Sequence, residues 1–156
     1  MKILGIDPGT ATTGYGVIEA SNGHIKMIEY GCIKTDKKDD PAKRLREIYN
    51  DLNKLIKKHR PSKVAVESIF FYKNVKTAIA VAQARGVILL CVQNNKKDLL
   101  EFTPLQVKNS LTGYGKADKK QVQFMVKKLL KLKKTPRPDD AADALALAIC
   151  ADGSKI

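Results

Sequence analysis

The sequence has few of the residues that build zinc sites or disulfide frameworks. It contains two histidines and three cysteines, and Cys32, Cys91 and Cys150 lie far apart with no Cys-x-x-Cys pair. An odd number of widely separated cysteines predicts reduced thiols that are buried as small apolar side chains. The composition therefore argues against a disulfide-stapled secreted domain and against a zinc site built from histidine and cysteine.

Long apolar runs are also missing. No uninterrupted run, Val87–Val92 included, approaches the ~20 apolar residues of a membrane span. Near the N-terminus, the run Ile3–Ile6 is cut by Asp7, unlike the apolar segment of a signal peptide. No repeat, low-complexity segment or linker divides the 156 residues. We therefore expect one domain spanning residues 1–156, located in the cytoplasm and without a membrane association.

Positive charge is in large excess. The chain has 29 lysines and arginines against 16 aspartates and glutamates, which gives a formal net charge of +13. These basic residues are spread along the chain rather than confined to a tail, so the folded surface itself should be positive. Such a balance favours a polyanionic partner, most often nucleic acid. The alternative is a lysine-rich surface that serves only solubility, as in many thermophilic proteins.

The pattern of apolar runs and turn residues predicts an α/β fold. Strands are expected at residues 2–6, 14–19 and 24–34, and Asn22-Gly23 is a strong hairpin signal because both residues tolerate positive φ. Later strands are expected to alternate with helices. The result is a mixed five-stranded sheet, a three-strand antiparallel meander plus parallel strands, flanked by helices. The later strands are expected at 63–66 and 99–103, and the helices at about 41–60, 75–90, 104–111 and 139–151, with a further helix marked by the apolar residues between Val122 and Leu130.

Acidic residues follow two of the predicted strands. Asp7 comes directly after the first strand, and Glu67 comes directly after the strand at 63–66. If these strands are parallel neighbours, both carboxylates emerge at the carboxyl end of the sheet, where open α/β sheets bind ligands. Each acid alone has a simpler explanation, because Asp-Pro-Gly is common in turns and a glutamate suits an exposed strand end.

A third group of acids begins the last predicted helix. Asp139, Asp140 and Asp143 precede an almost entirely apolar segment, which indicates a buried helix. Asp143 shares a helix face with either of the other two, while Asp139 is well placed to cap the helix. Converging carboxylates repel one another unless a cation lies between them, and their oxygens suit Mg²⁺ or Mn²⁺. An acidic metal pocket on a basic protein predicts a metal-dependent nuclease.

A stripe of small residues marks the second predicted helix. Ala78, Ala82 and Gly86 lie four residues apart, so they share one face and permit another helix to approach closely. We expect this face at or near a subunit contact. Packing of the same stripe on the sheet is the alternative.

A series of ordered motifs resembles the RuvC-type Holliday junction resolvases. The resemblance runs from residue 3 to about residue 150. It implies a ribonuclease H-like fold, a homodimer and an active site with two Mg²⁺ ions per subunit, for which Mn²⁺ substitutes. The motifs are Gly5-Ile-Asp7-Pro-Gly-Thr, Thr13-Gly-Tyr-Gly16, Glu67-Ser-Ile-Phe70, Gln83-Ala-Arg-Gly86, Gln106-Val-Lys108, Gly115-Lys-Ala-Asp-Lys119, Gln121-Val-Gln123 and Asp140-Ala-Ala-Asp-Ala-Leu-Ala146.

The resemblance also implies which acids act in catalysis. By motif position, Asp7, Glu67, Asp140 and Asp143 would be the catalytic, metal-binding residues. The family pattern is Asp-x-x-Asp followed by Ala-Leu-Ala, which favours Asp140 over Asp139. Spacing alone leaves that choice open, because both residues precede Asp143 by about one helical turn.

Three further residues match DNA-contacting positions of the family. The resemblance implies that Phe70 stacks on a junction base and that Lys108 and Lys119 contact DNA near the scissile phosphate. Both roles agree with the chemistry, because aromatic rings stack on bases and ammonium groups bind phosphate. Taken alone, Phe70 is also explained as a core residue, and the two lysines are better explained as ordinary surface residues.

The function implied is a structure-specific endonuclease that resolves four-way DNA junctions. It would make symmetric paired nicks that leave 5′-phosphate and 3′-hydroxyl ends. Two alternatives stay open: a RuvC-like nuclease acting on RNA precursors, and a non-catalytic basic DNA-binding protein. Sugar kinases and actin-like ATPases share the Asp-x-Gly-Thr opening but need two lobes and a second phosphate loop. The sequence also leaves open whether a branch-migration complex of the RuvA/RuvB type is a partner.

Overall fold

The first half of the sheet is an antiparallel meander. The computed structural model describes residues 1–68 and 75–153. Strands β1 (Lys2–Asp7), β2 (Thr12–Ser21) and β3 (His24–Lys34) pair in sequence. The predicted turn between β2 and β3 is confirmed, with positive φ at both Asn22 (50°) and Gly23 (75°).

Two parallel strands complete the sheet. The order is β3-β2-β1-β4-β5, with β4 parallel to β1 and β5 parallel to β4. The predicted mixed five-stranded α/β fold is thus confirmed. The boundaries differ by a few residues, because β2 pairs with β3 along its whole length and extends past the predicted 14–19. The remaining elements are α1 (Pro41–His59), β4 (Lys63–Glu67), α2 (Val75–Asn94), β5 (Asp98–Phe102), α3 (Pro104–Thr112), α4 (Lys119–Leu129) and α5 (Asp139–Gly153).

Side-chain capping determines where α3 and α4 begin. Thr103 accepts a hydrogen bond from the backbone N–H of Gln106, whose side chain accepts one from the N–H of Thr103. Asp118 and Gln121 form the same reciprocal pair at the start of α4. Such boxes satisfy two otherwise unpaired backbone donors. The second box fixes Lys119 as the first residue of α4.

The helices cover the two faces of the sheet. Alternation along β1 directs Leu4 and Ile6 to the apolar cluster that includes α1 and α2. Ile3 belongs instead to the cluster formed with α3, α4 and α5. Helices α1 and α2 therefore cover one face of the sheet, and α3, α4 and the acidic helix α5 cover the other.

Helix α5 lies directly on the backbone of β1 and β2. A Cβ atom added at Gly5 would overlap the carbonyl oxygen of Ala144, and one added at Gly14 would overlap that of Asp140. The glycines therefore allow a close helix–sheet contact that no larger residue permits. This contact sets the first turn of α5 over the carboxyl end of β1.

Helix α2 is long and apolar enough to cross a membrane, judged by length and composition alone. Uninterrupted apolar runs did not predict this, because Lys76 and Arg85 divide the segment. A core helix of a soluble protein passes the same test. Here Arg85 forms an ion pair with Glu101 of β5, which ties one side of α2 to the protein.

Replacement of Gly5 by alanine tests the close contact of α5. We expect Gly5→Ala to destabilise the protein by about 1–3 kcal/mol or more, because α5 must shift away from β1. Urea unfolding followed by circular dichroism measures the change. Gly153→Ala is the matched control, since an added Cβ there meets nothing within 4 Å. A Gly5→Ala protein as stable as the control would contradict the packing described here.

Candidate active site

The acids at the strand ends emerge side by side. Strands β1 and β4 are parallel neighbours, with Ile6 paired to Val66, as the sequence predicted. Asp7 and Glu67 are the next residues on each strand. The carboxyl end of the sheet therefore carries both acids, at the place where open α/β sheets bind ligands.

Helix α5 adds two more carboxylates to Asp7. Oxygen atoms of Asp7, Asp140 and Asp143 all lie within 4.8 Å of one another, and the three residues are partly buried. Asp139 is not a member of this group. Glu67 is also outside it, but lines the adjoining cleft of about 260 Å³ together with Asp143. The structure thus brings Asp140, and not Asp139, into one group with Asp7 and Asp143.

The carboxylates disfavour one another's ionisation. Burial raises the pKa of Asp7 to about 8, and the charges of Glu67, Asp143 and Asp140 add to the effect. Burial and the charge of Asp143 raise the pKa of Glu67 to about 7. Burial also raises the pKa of Asp143, although the Lys119 ammonium opposes this. Hard oxygen donors that repel one another at this spacing fit a divalent cation such as Mg²⁺ or Mn²⁺.

Two lysines face the same cleft. Lys119 donates a hydrogen bond from Nζ to Oδ2 of Asp143 at 3.0 Å and lies 3.5 Å from Oδ2 of Asp139. Lys108, on α3, lines the cleft with Lys119 and Glu67. Both lysines named by the sequence therefore lie beside the acids, where ammonium groups can meet a phosphate.

Asp139 is held by groups outside the acidic cluster. Its Oδ1 accepts a hydrogen bond from Nε2 of Gln123 at 3.1 Å and forms an ion pair with Arg137. Gln123 is only 8% exposed, so this donor is fixed in place. Together with Lys119, these partners draw the Asp139 carboxylate towards α4 and away from Asp7.

Sequence reasoning gave no individual role to two residues that position the site. Arg85 donates from Nε to the backbone carbonyl of Glu67 at 3.2 Å; its signal was an arginine inside an otherwise apolar helix. Thr13 is buried and donates to the carbonyl of Gly9 at 2.6 Å, which closes the loop that follows Asp7. Phe70, predicted to stack on a base, lies outside the described residues.

The family model described as crossover junction endodeoxyribonuclease RuvC matches residues 3–151, almost the whole chain. The chain belongs to the RuvC family.

Relatives and solved structures agree with this assignment. A crossover junction endodeoxyribonuclease RuvC of Thermosipho melanesiensis is 59% identical over 150 residues, covering 96% of each chain. The one from Syntrophomonas wolfei is 55% identical, covering 96% of this chain and 87% of its own. The RuvC of Thermus thermophilus, solved in complex with Holliday junction substrate, has a TM-score of 0.92 and 34% identity, covering 96% of this chain and 92% of that one.

The crowding of carboxylates predicts a pH-dependent stability. Folding raises the pKa of Asp7 from 3.8 to about 8, so the folded state binds more protons than the unfolded state between these values and loses stability as pH rises through them. Asp7→Asn removes this loss. In EDTA near pH 9, the Asp7→Asn variant should melt several degrees above wild type, since about 1 kcal/mol shifts Tm by about 2–4 °C. This difference in Tm should disappear towards pH 4. Differential scanning fluorimetry across this pH range measures it.

The exposed Asp98, at the opposite end of the sheet, provides the control. Asp98→Asn should follow the wild-type melting curve at every pH. A difference between Asp7→Asn and wild type that is the same at pH 4 and pH 9 would contradict the described electrostatics.

Proposed function

We propose that this protein is a structure-specific endonuclease that resolves four-way DNA junctions by symmetric paired nicks. One observation carries the proposal: carboxylates of Asp7, Asp140 and Asp143 converge beside Lys119 on a protein of net charge +13. Acids in that arrangement suit metal-assisted phosphodiester hydrolysis, and the positive surface suits the DNA backbone. Membership of the RuvC family supports the same activity.

The acidic residues would hold the metal ions. We assign this role to Asp7, Glu67, Asp140 and Asp143, with two Mg²⁺ ions per subunit and Mn²⁺ as a substitute. When bound, the ions supply charge neutralisation at the scissile phosphate and activation of the attacking water. The raised pKa values of Asp7 and Glu67 mean that protons compete with the metal near neutral pH.

The remaining assigned residues act on DNA. Lys108 and Lys119 bind oxygens of the scissile phosphate region, since both line the cleft with Glu67 and Asp143. Phe70 stacks on a junction base, a role proposed from the family motif. The nicks leave 5′-phosphate and 3′-hydroxyl ends, which a ligase can seal.

The two alternative functions have less support. The family match and the relatives named RuvC argue against a nuclease for RNA precursors. A non-catalytic DNA-binding protein gives no reason to crowd carboxylates whose burial raises the pKa of Asp7 to about 8. Only the nuclease accounts for both the acids and the basic surface.

We also propose a homodimer that forms through α2. Ile79 and Leu90 on this helix are 56% and 55% exposed, and Ala82 and Gly86 between them are exposed as well. An added Cβ at Gly86 meets nothing within 4 Å, so the stripe of small residues faces away from the sheet. A four-way junction is nearly two-fold symmetric, which suits an isologous dimer with two related active sites.

The cellular setting follows from the same function. We propose that residues 1–156 form one nuclease domain that acts in the cytoplasm. Its DNA substrate and its cysteines Cys32, Cys91 and Cys150, which form no disulfide with one another, fit a reducing compartment. A branch-migration complex of the RuvA/RuvB type is the partner that this activity would use.

Cleavage of a synthetic mobile junction tests the enzymatic proposal. With Mg²⁺, the wild-type protein should nick two opposing strands at symmetric positions, and the nicked products should be ligatable. Asp7→Asn should reduce cleavage by at least about 100-fold, because it removes a carboxylate that would hold the ions, and should still bind the junction. Denaturing gels with each strand labelled in turn measure this. Asp98→Asn is the control, and an Asp7→Asn protein that cuts at the wild-type rate would contradict the assigned site.

Charge placed on the α2 stripe tests the dimer. The double variant Ile79→Glu, Leu90→Glu should be monomeric at about 10 µM, because unpaired carboxylates would be buried at the contact. Ile28→Glu, on the exposed edge of β3, is the matched control and should leave the dimer intact. Sedimentation velocity measures the mass. A wild-type protein that is already a monomer at this concentration would overturn the proposal.

A further inference from the structure

One short segment carries a large part of the chain's positive charge. Residues 119–138 contain seven lysines and Arg137 but no aspartate or glutamate. All acidic residues of the chain therefore lie elsewhere. The segment consists of helix α4 and the loop that leads to α5.

An outward face of α4 combines lysines with an aromatic ring. Lys120, Phe124 and Lys128 are four residues apart and thus lie on the same side of the helix. Phe124 is 58% exposed, and Nζ of Lys128 lies 5.7 Å from the centroid of its ring. Lys127 is half-buried and lines a cleft with Phe124 and Lys128, and Lys131 is exposed just beyond the helix end. We call these five residues the α4 basic face.

The lysines of this face form no ion pair with the acids of the described part of the chain, although Asp152 lines a cleft with Lys128 and Lys131. Of the segment 119–138, only Lys119 and Arg137 form ion pairs within residues 1–68 and 75–153. The unpaired ammonium groups repel one another, and a polyanion bound across them relieves that repulsion. Solubility alone does not require them to be concentrated on one helix without intervening acids.

The position of α4 connects this face to the active site. Its first residue, Lys119, contacts Asp143, while Lys128 and Lys131 lie beside Gly23 and Asp152 at the far end of the sheet. Eleven helical residues span about 16 Å at 1.5 Å per residue. That length corresponds to about five nucleotides along one strand of a duplex.

We propose that the α4 basic face binds the phosphate backbone of the duplex arm that leads away from the scissile phosphate. The proposal rests on the junction-cleaving function proposed above. Lys127, Lys128 and Lys131 contact phosphates about five nucleotides from the cut. An acidic segment of a partner protein would fit the same charge, but the continuity of the face with Lys119 favours the substrate already held at that end of the helix.

Charge reversal on α4, matched for net charge, tests the surface. The triple variant K127E/K128E/K131E is compared with K37E/K38E/K57E, whose lysines are exposed on the α1 side of the molecule. Binding to the junction is measured by fluorescence anisotropy in EDTA from about 50 to 300 mM salt. Three lost phosphate contacts should weaken binding about 100-fold near 150 mM and reduce the slope of log K against log salt by about 3. The control triple should change the slope by less than about 1.

Neutral phosphates in the DNA locate the contact. Methylphosphonates placed four to six nucleotides from the cut, on either side, should weaken binding by the wild type and by the control triple but not further weaken binding by K127E/K128E/K131E. Equal weakening of all three proteins, or wild-type affinity in the α4 triple, would overturn the inference. Thermal melts establish that each variant is folded. Failure of the wild type to cut the junction with Mg²⁺ would instead overturn the proposed function, so the two failures are distinguishable.

Discussion

The contact between α5 and the glycines of β1 and β2 is the constraint on which the active site depends. Gly5 and Gly14 leave no room for a side chain beneath Ala144 and Asp140, so the helix lies on the strand backbone itself. A helix this close carries its first-turn acids directly over Asp7. A helix one side chain further away would separate the carboxylates by several ångströms, and no shared cation site would form.

That geometry crowds carboxylates at the carboxyl end of the sheet, which is electrostatically unfavourable. Burial and mutual repulsion raise the pKa of Asp7 to about 8 and of Glu67 to about 7, so the metal-free fold is less stable for having them. Lys119 relieves part of the repulsion through Asp143. The apolar layers on both faces of the sheet supply the stability that offsets the rest. A cation bound between the carboxylates would neutralise this repulsion. The same crowding that lowers the stability of the metal-free fold therefore favours metal binding.

The convergence of the acids was largely predictable from the sequence. The choice between Asp140 and Asp139 was not, for a physical reason. Apolar runs ending in Asp7 and Glu67 predicted neighbouring acids, because parallel pairing brings strand ends together. Helical spacing did not separate Asp140 from Asp139, since both share a face with Asp143. That distinction arises from tertiary contacts, chiefly the buried amide of Gln123 that holds Asp139. The role of Phe70 stays a prediction.

Helix α4 shows how one element serves two opposite electrostatic demands. Its first residue, Lys119, turns towards the acids and lowers their repulsion, while Lys120 and Lys128 are exposed and form no ion pair with the acids of residues 1–68 and 75–153. The capping box of Asp118 and Gln121 fixes the helix start, and buried Gln123 fixes its rotation against Asp139. Because the helix is rigid, the distance from Lys119 to the outer lysines is fixed as well. A DNA backbone bound along α4 would therefore place its phosphates at fixed distances from the acids.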